Sequence, residues 1–167
     1  TGGLVASGPY PDPVLRFTDS LTGEKADFVP REEGKASIYW CGPTVYDVPH
    51  LGHARSTLAF DLLVRYLRWT GLDVTAVSNI TDIDDKIINR ANENGELFTD
   101  LTTRFIDAMH EDEAALGVLP PDQEPRATGH IGEIVSLIQT LIEKEHAYPA
   151  ANGDVYFSVS SFDDYGK

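Results

Sequence analysis

Two histidines at the start of a helix-like segment are the residues of this chain best placed to do chemistry. His50 and His53 flank Gly52, and the apolar periodicity of a helix begins at Ala54. Free backbone N–H groups and the positive end of the dipole make a helix N-terminus favourable for phosphate oxygens. Two imidazole N–H donors would complete a phosphate clamp, and Gly52, without a Cβ, would let a flat ligand such as a purine approach. On spacing alone, surface or capping histidines are an equal alternative.

Cys41 is the one cysteine of the chain, and it ends an apolar run shortly before the histidines. A thiolate at the end of a strand suits a soft or borderline metal such as zinc. A lone cysteine is more often a small buried hydrophobe, and the residue pattern by itself favours that interpretation.

Three carboxylates, Asp82, Asp84 and Asp85, stand close together further along the chain. They are compatible with a divalent cation, but Thr81 with Asp84 also fits the capping box of a helix over residues 86–94. We favour the structural role, in which the carboxylates stabilise the N-terminus of that helix.

An apparent β-α-β unit must position these residues. Residues 37–41 are typical of a buried strand, residues 42–44 break it, a helix runs from Ala54 to Gly71, and residues 74–77 are typical of a parallel strand. The polar loops then lie at the carboxyl ends of the strands, where open α/β sheets bind ligands. The expected core-facing stripe of the helix contains Leu58, Ala59, Leu62, Leu63, Tyr66 and Leu67.

The remaining elements follow from turn residues and periodicity. Residues 15–17 and 26–29 flank a turn and predict a hairpin. Residues 97–116 and 129–146 predict two helices, the second with Thr128 as a plausible cap and an apolar stripe. A half-buried strand with alternating apolar residues is expected from Val155 to Val159.

Several blocks of this sequence resemble the cysteinyl-tRNA synthetase family of class I aminoacyl-tRNA synthetases. His50-Leu51-Gly52-His53 is similar to the class signature His-Ile-Gly-His, with Leu51 in place of Ile. Residues 39–47, 79–94 and 121–128 resemble that family in particular, and similarity continues to Lys167. The resemblance implies a partial Rossmann-like α/β nucleotide-binding fold: a flexible arm at 1–14, the first half of the catalytic domain at 15–119, and the start of the connective insertion at 120–167.

The implied activity is ATP-dependent activation of cysteine to cysteinyl-adenylate and its transfer to the tRNA for cysteine. This resemblance implies that His50 and His53 are the catalytic residues. It also implies that Gly42 and Thr81 bind the substrate cysteine. The implied ATP-binding residues are Pro43, Thr44, His50, Gly52 and His53, with Mg²⁺ accompanying ATP.

The resemblance also implies that Cys41 is one of four zinc ligands and that the zinc ion binds the thiolate of the substrate. The family's other three ligands and its lysine-containing second ATP signature have no counterpart in the 167 residues. The chain is therefore expected to be a fragment, inactive alone, with the remainder of the synthetase and tRNA as partners.

Composition sets limits on this interpretation. The chain has 13 basic against 27 acidic residues and a formal net charge of −14, which predicts weak tRNA binding by this piece itself. One cysteine excludes an internal disulfide framework and fits a reducing cytoplasm, the expected location. No apolar run approaches the roughly twenty residues of a membrane span, so no membrane partner is expected.

Two alternatives remain open. The first is the related ligase of mycothiol synthesis, which joins cysteine to a glucosamine-inositol acceptor and shares the adenylation chemistry. The second is a non-catalytic nucleotide- or partner-binding module derived from a synthetase, which would fold and bind a ligand without turnover.

Overall fold

The computed structural model describes residues 15–166, so the expected arm at residues 1–14 lies outside the described residues. The strands are β1 (Arg16–Thr18), β2 (Lys25–Asp27), β3 (Lys35–Trp40), β4 (Asp73–Ser78), β5 (Ala147–Pro149) and β6 (Val155–Phe157). The α-helices are α1 (Leu51–Trp69), α2 (Asp85–Asn94), α3 (Phe98–Ala115) and α4 (Ile131–Glu143), and two 3₁₀ turns span Ala127–His130 and Val159–Ser161.

The centre of the fold is the parallel pair β3 and β4, which α1 connects. The register is continuous, from Lys35 opposite Asp73 to Trp40 opposite Ser78. Both strands therefore end at the same edge of the sheet, as the sequence predicted.

An irregular segment, residues 122–127, pairs with the free side of β4. The backbone N–H groups of Ser78 and Ile80 donate to Gln123 and Pro125, and Ala127 donates back to Ile80. The pairing is parallel at Val77 with Gln123 and again at Ile80 with Arg126. Residues 122–127 thus form a third parallel segment of the sheet, the third lane, although this segment is not a regular strand.

Asp122 anchors this third lane. Its carboxylate accepts the Ala76 backbone N–H at 2.7 Å and Arg68 Nη2 at 2.7 and 2.8 Å. Because Arg68 also donates to the Val74 carbonyl at 3.2 Å, one side chain of α1 holds both β4 and the irregular segment.

Only part of the expected stripe of α1 faces the sheet, since Leu67 is buried and Leu63 packs against the same core. Val64 and Leu67 are buried against the apolar residues of β3 and β4, and Phe60 stacks on Trp40 at 5.1 Å. The expected core residues Leu58, Ala59 and Leu62 are exposed instead. Apolar residues occur on more than one face of α1, and the sheet covers only one of them.

Helix α2 is capped by Asp84, whose carboxylate accepts the Lys86 backbone N–H at 2.8 Å. The expected capping box with Thr81 is wrong, because Thr81 pairs with Thr44 as a continuation of the sheet. Asp82 is buried and binds the backbone N–H and hydroxyl of Thr128. Thr128 is thus held inside the 3₁₀ turn rather than capping α4.

Helices α2 and α3 form a second core at the edge where β3 and β4 end. It contains Val45, Ile80, Ile87, Ala91, Leu101, Ile106 and Met109. Arg104 of α3 donates to both carboxylate oxygens of Glu96 at 2.8 and 2.9 Å. Together with Asn94, this arginine lowers the pKa of Glu96 to about 2.

The remaining elements lie at the periphery. β1 and β2 form the expected hairpin, and β5 and β6 form a second one. Val159 lies in a 3₁₀ turn beyond β6, so the last strand is shorter than predicted. Helix α4 forms where expected but contains no buried residue. No helix within residues 15–166 is long and apolar enough to cross a membrane.

Replacement of Asp122 by Ala should lower the free energy of unfolding at pH 7 by about 1–2 kcal/mol, because charge-assisted hydrogen bonds are lost from a partly exposed site. Bonding to Ala76 first, and then Arg68, lowers the pKa of Asp122 from its ordinary 3.8. Its stabilisation is therefore fully present above that pH and disappears as pH falls through the lower native-state value. Denaturant unfolding between pH 2 and pH 7 measures both effects.

The matched control is Asp27→Ala, which removes an exposed ion pair with Arg16. We expect that change to cost less than about 0.5 kcal/mol. An equal loss in the two variants would contradict an anchoring role for Asp122.

Candidate functional site

A cavity of about 510 Å³ lies where β3, β4 and the N-terminus of α1 meet. Its lining contains the predicted site residues Cys41, Gly42, Pro43, His50 and His53. The lining does not include the other three predicted residues, Gly52, Thr44 and Thr81. The topology thus assembles five of the eight predicted positions around one space.

The two histidines form a reciprocal cap on α1. Nδ1 of His50 accepts the Gly52 backbone N–H at 3.0 Å, and Nδ1 of His53 accepts the His50 backbone N–H at 3.1 Å. This is a capping box in which imidazoles replace the usual hydroxyl and carboxylate. Both histidines therefore cap the helix, as one alternative held, and both also line the cavity.

The capping bonds fix which ring nitrogen can act as a donor. In a neutral imidazole one nitrogen accepts and the other carries the proton. Because Nδ1 accepts in both rings, the proton of each neutral ring is on Nε2. Each histidine therefore retains one N–H donor in addition to its capping bond.

Partial burial lowers the pKa of His53, and the neighbouring His50 lowers it further. The two rings stack with centroids 3.9 Å apart. A second positive charge at that distance would be repelled, so the neutral form of His53 is favoured at neutral pH.

Gly52 has a structural reason to be glycine. A Cβ at this position would lie 2.8 Å from Cε1 and 2.9 Å from Nδ1 of His50. Any other residue would therefore require the His50 ring to move. The expected close approach of a purine is a separate reason, and it remains a prediction.

The far wall of the cavity comes from α3 and the third lane of the sheet. Met109, Glu113 and Leu116 line it together with Glu124. Burial, and then the charge of Glu124, raise the pKa of Glu113, while His110 and a hydrogen bond from Thr57 oppose that shift. Glu124 also bonds Nε2 of His110 at 2.8 Å. Sequence reasoning missed this acidic wall, because no motif marks these residues.

The described residues do not complete a metal site. Cys41 is exposed, and residues 15–166 contain no group of three or more His, Cys, Asp or Glu arranged to hold a metal ion. The chain thus supplies one thiol donor at the cavity. The assignment of Cys41 as a zinc ligand stays a prediction.

Comparisons with known proteins find the same family over most of the chain. Residues 27–167 match the family model described as the tRNA synthetases class I (C) catalytic domain. The chain is 60% identical to the cysteine–tRNA ligase of Hahella chejuensis over 154 residues, with 92% of this chain and 33% of that protein covered. The corresponding protein of Halorhodospira halophila is 62% identical over 154 residues, which cover 92% and 34%. The chain spans about a third of the length of these curated relatives.

Two solved structures share the fold. Methionyl-tRNA synthetase of Mycobacterium tuberculosis in complex with methionyl-adenylate aligns with a TM-score of 0.60 at 23% identity, covering 67% of this chain and 23% of that one. The ternary complex of Agrobacterium radiobacter K84 LeuRS with tRNA and LeuAMS aligns with a TM-score of 0.61 at 23% identity, covering 73% and 16%. The fold is therefore that of the class I synthetases, as the sequence predicted.

Replacement of Gly42 by Ala should destabilise the protein by about 1–3 kcal/mol, because the new methyl group has no space. Its Cβ would lie 1.7 Å from the Asn79 carbonyl oxygen. The control is Gly132→Ala in α4, where nothing lies within 4 Å. That change should be neutral or stabilising by up to about 1 kcal/mol. Urea unfolding of both variants tests the prediction, and similar stabilities would contradict the close approach.

Replacement of His50 by Asn should raise the pKa of His53 while the helix cap is kept, since Asn is a favourable N-cap residue. The rise should be incomplete, because burial is the larger cause of the lowered value. Titration of the His53 ring by NMR measures the change. An unchanged pKa would show that the two rings are not electrostatically coupled.

Proposed function

Because this chain belongs to the family of class I (C) tRNA synthetase catalytic domains, we propose that it forms part of a cysteine–tRNA ligase and binds ATP and cysteine in the cavity at the sheet edge. The observation that supports this most is the reciprocal histidine cap. It leaves one Nε2–H donor on each of two stacked rings beside the N-terminus of α1.

The proposed reaction is the activation of cysteine. Its carboxylate oxygen attacks the α-phosphorus of ATP, the bond from that phosphorus to the bridging oxygen breaks, and pyrophosphate leaves with Mg²⁺. The products are cysteinyl-adenylate and pyrophosphate, and the adenylate then acylates the tRNA for cysteine. No protein group needs to form a covalent bond, so catalysis is positioning and charge stabilisation.

His50 and His53 supply that stabilisation in this proposal. Negative charge grows on the non-bridging phosphate oxygens during attack, and Nε2–H donors and the dipole of α1 favour it. A neutral His53 serves here, because donation from Nε2 requires a proton on that nitrogen but no net charge. Loss of one such donor in a complete enzyme typically costs about 10²-fold in rate.

The other proposed contacts with ATP and cysteine come from four residues near the ends of β3 and β4. Gly42 and Pro43 line the cavity, which supports their proposed contacts with cysteine and ATP. Thr44 and Thr81 pair with each other through their backbones. This pairing leaves their side chains for the proposed contacts, that of Thr44 with ATP and that of Thr81 with cysteine.

The net charge bears on the proposed partners. A chain with 27 acidic and 13 basic residues is unsuited to hold RNA by general electrostatics. We propose that tRNA binds mainly through parts of the ligase outside these 167 residues, as the length of the relatives allows. A cytoplasmic site of action, where translation occurs, completes the proposal.

Replacement of His53 by Ala should weaken ATP binding by the 167-residue chain about threefold to tenfold, the effect of one lost hydrogen bond. Isothermal titration with Mg–ATP measures the dissociation constant. The control is His130→Ala, since His130 is exposed and is absent from the cavity lining. Absence of ATP binding by the unaltered chain, or equal affinities of the two variants, would overturn the assignment.

Cysteine-dependent exchange of labelled pyrophosphate into ATP tests the reaction itself. We expect ATP binding without exchange, because residues 15–166 hold no complete metal site for the cysteine thiol. Robust exchange by this chain would support the ligase chemistry and refute the requirement for further residues.

A further inference from the structure

The chain that continues from β3 contains one extra residue relative to the chain that continues from β4, at the edge of the sheet next to the cavity. The regular ladder ends with Trp40 opposite Ser78, and parallel pairing resumes with Thr44 opposite Thr81. Three residues, 41–43, therefore lie opposite two, 79 and 80. This is a β-bulge in a parallel pair, a rare feature that is over-represented next to active sites. Cys41 and Gly42 lie in the bulge.

An inserted residue in a strand leaves a backbone group without its ladder partner. Here the Gly42 N–H donates to the side-chain Oδ1 of Asn79 at 3.1 Å. The same carboxamide donates from Nδ2 to the Thr81 hydroxyl at a longer 3.4 Å. One side chain thus spans the bulge and the residue at which regular pairing resumes.

The backbone on either side of Asn79 is hydrogen-bonded to the third lane of the sheet. The N–H groups of its neighbours, Ser78 and Ile80, donate to Gln123 and Pro125 in the third lane. Its carbonyl oxygen faces Gly42 so closely that a Cβ there would lie 1.7 Å away. Asn79 therefore contacts the bulge through both its backbone and its side chain, while the third lane holds its two neighbours.

We propose that Asn79 is a positioning residue that holds Cys41 and Gly42 at the cavity. The hydrogen bond from the Gly42 N–H orients the peptide that joins these two residues, so it sets where the Cys41 thiol lies. The contribution to cysteine activation rests on the proposed function. The positioning itself does not, and it is measurable without any ligand.

The first experiment follows amide hydrogen exchange by NMR in the 167-residue chain. Asn79→Ala should speed exchange of the Gly42 amide about tenfold, since its acceptor is lost. Asn79→Asp keeps an oxygen at the same place, so Gly42 should stay protected. The control is Asn94→Ala, which removes a side-chain hydrogen bond to Glu96 and leaves the bulge intact. The amide of Ile106, in the middle of α3, reports global unfolding, and the change at Gly42 should exceed any change at Ile106.

The second experiment measures the rate constant for alkylation of Cys41, the one thiol of the chain, by iodoacetamide. In Asn79→Ala this rate constant should change by at least about threefold, because the bulge loses its fixed geometry. In Asn94→Ala it should be unchanged.

Each outcome bears on one proposal. Unchanged Gly42 exchange in Asn79→Ala would overturn the positioning role, even where the chain binds ATP. Faster exchange with unchanged alkylation would overturn the link to Cys41. Failure of the unaltered chain to bind ATP, with the exchange pattern as expected, would overturn the proposed function and leave the positioning role supported.

Discussion

Parallel pairing of β3 with β4 is the constraint on which the rest of this structure depends. Because the two strands run in one direction and end in register, segments 37 residues apart in sequence leave the sheet side by side. The connecting helix must return along the sheet to start the second strand. Its N-terminus, with His50 and His53, is then directed to the edge where Cys41 and Asn79 emerge.

The start of α1 combines a structural and a chemical task in the same two side chains. Ser, Thr, Asp or Asn caps a helix more commonly, and histidine is not a favoured N-cap residue. Histidine, however, has a second nitrogen that remains free after the first accepts a backbone N–H. The arrangement requires Gly52, because a Cβ would collide with the His50 ring. Glycine at position 52 thus has a structural role that is independent of any ligand.

Periodicity and turn residues were sufficient to predict the β-α-β unit, the first hairpin and helices α2 and α3, because each rests on local signals. They failed where tertiary contacts decide the structure. The third lane, residues 122–127, has no alternating pattern, and its pairing depends on Asp122 contacting Ala76 and Arg68. The spacing of Thr81 to Asp84 predicts a helix capping box, but the Thr81 backbone pairs with Thr44 in the sheet instead. A motif marks the residues that line one side of the cavity, His50 and His53 among them, whereas no motif marks Glu113 and Glu124 on the other side.

The charges around the cavity restrict how a phosphate could be held there. The chain as a whole carries a net charge of −14, and Glu113 and Glu124 line the wall formed by α3 and the third lane. The net charge therefore gives no general attraction for a phosphate, and the lowered pKa of His53 favours its neutral form. What remains is a pair of short-range donors, namely the Nε2–H groups of His50 and His53, at the positive end of the α1 dipole. Such donors act only on an oxygen placed within hydrogen-bond distance, so recognition depends on geometry more than on net charge. Specific hydrogen bonds accordingly hold both parts of the site: Asn79 holds the bulge at Gly42, and bonds within the first turn of α1 hold the cap at His50 and His53.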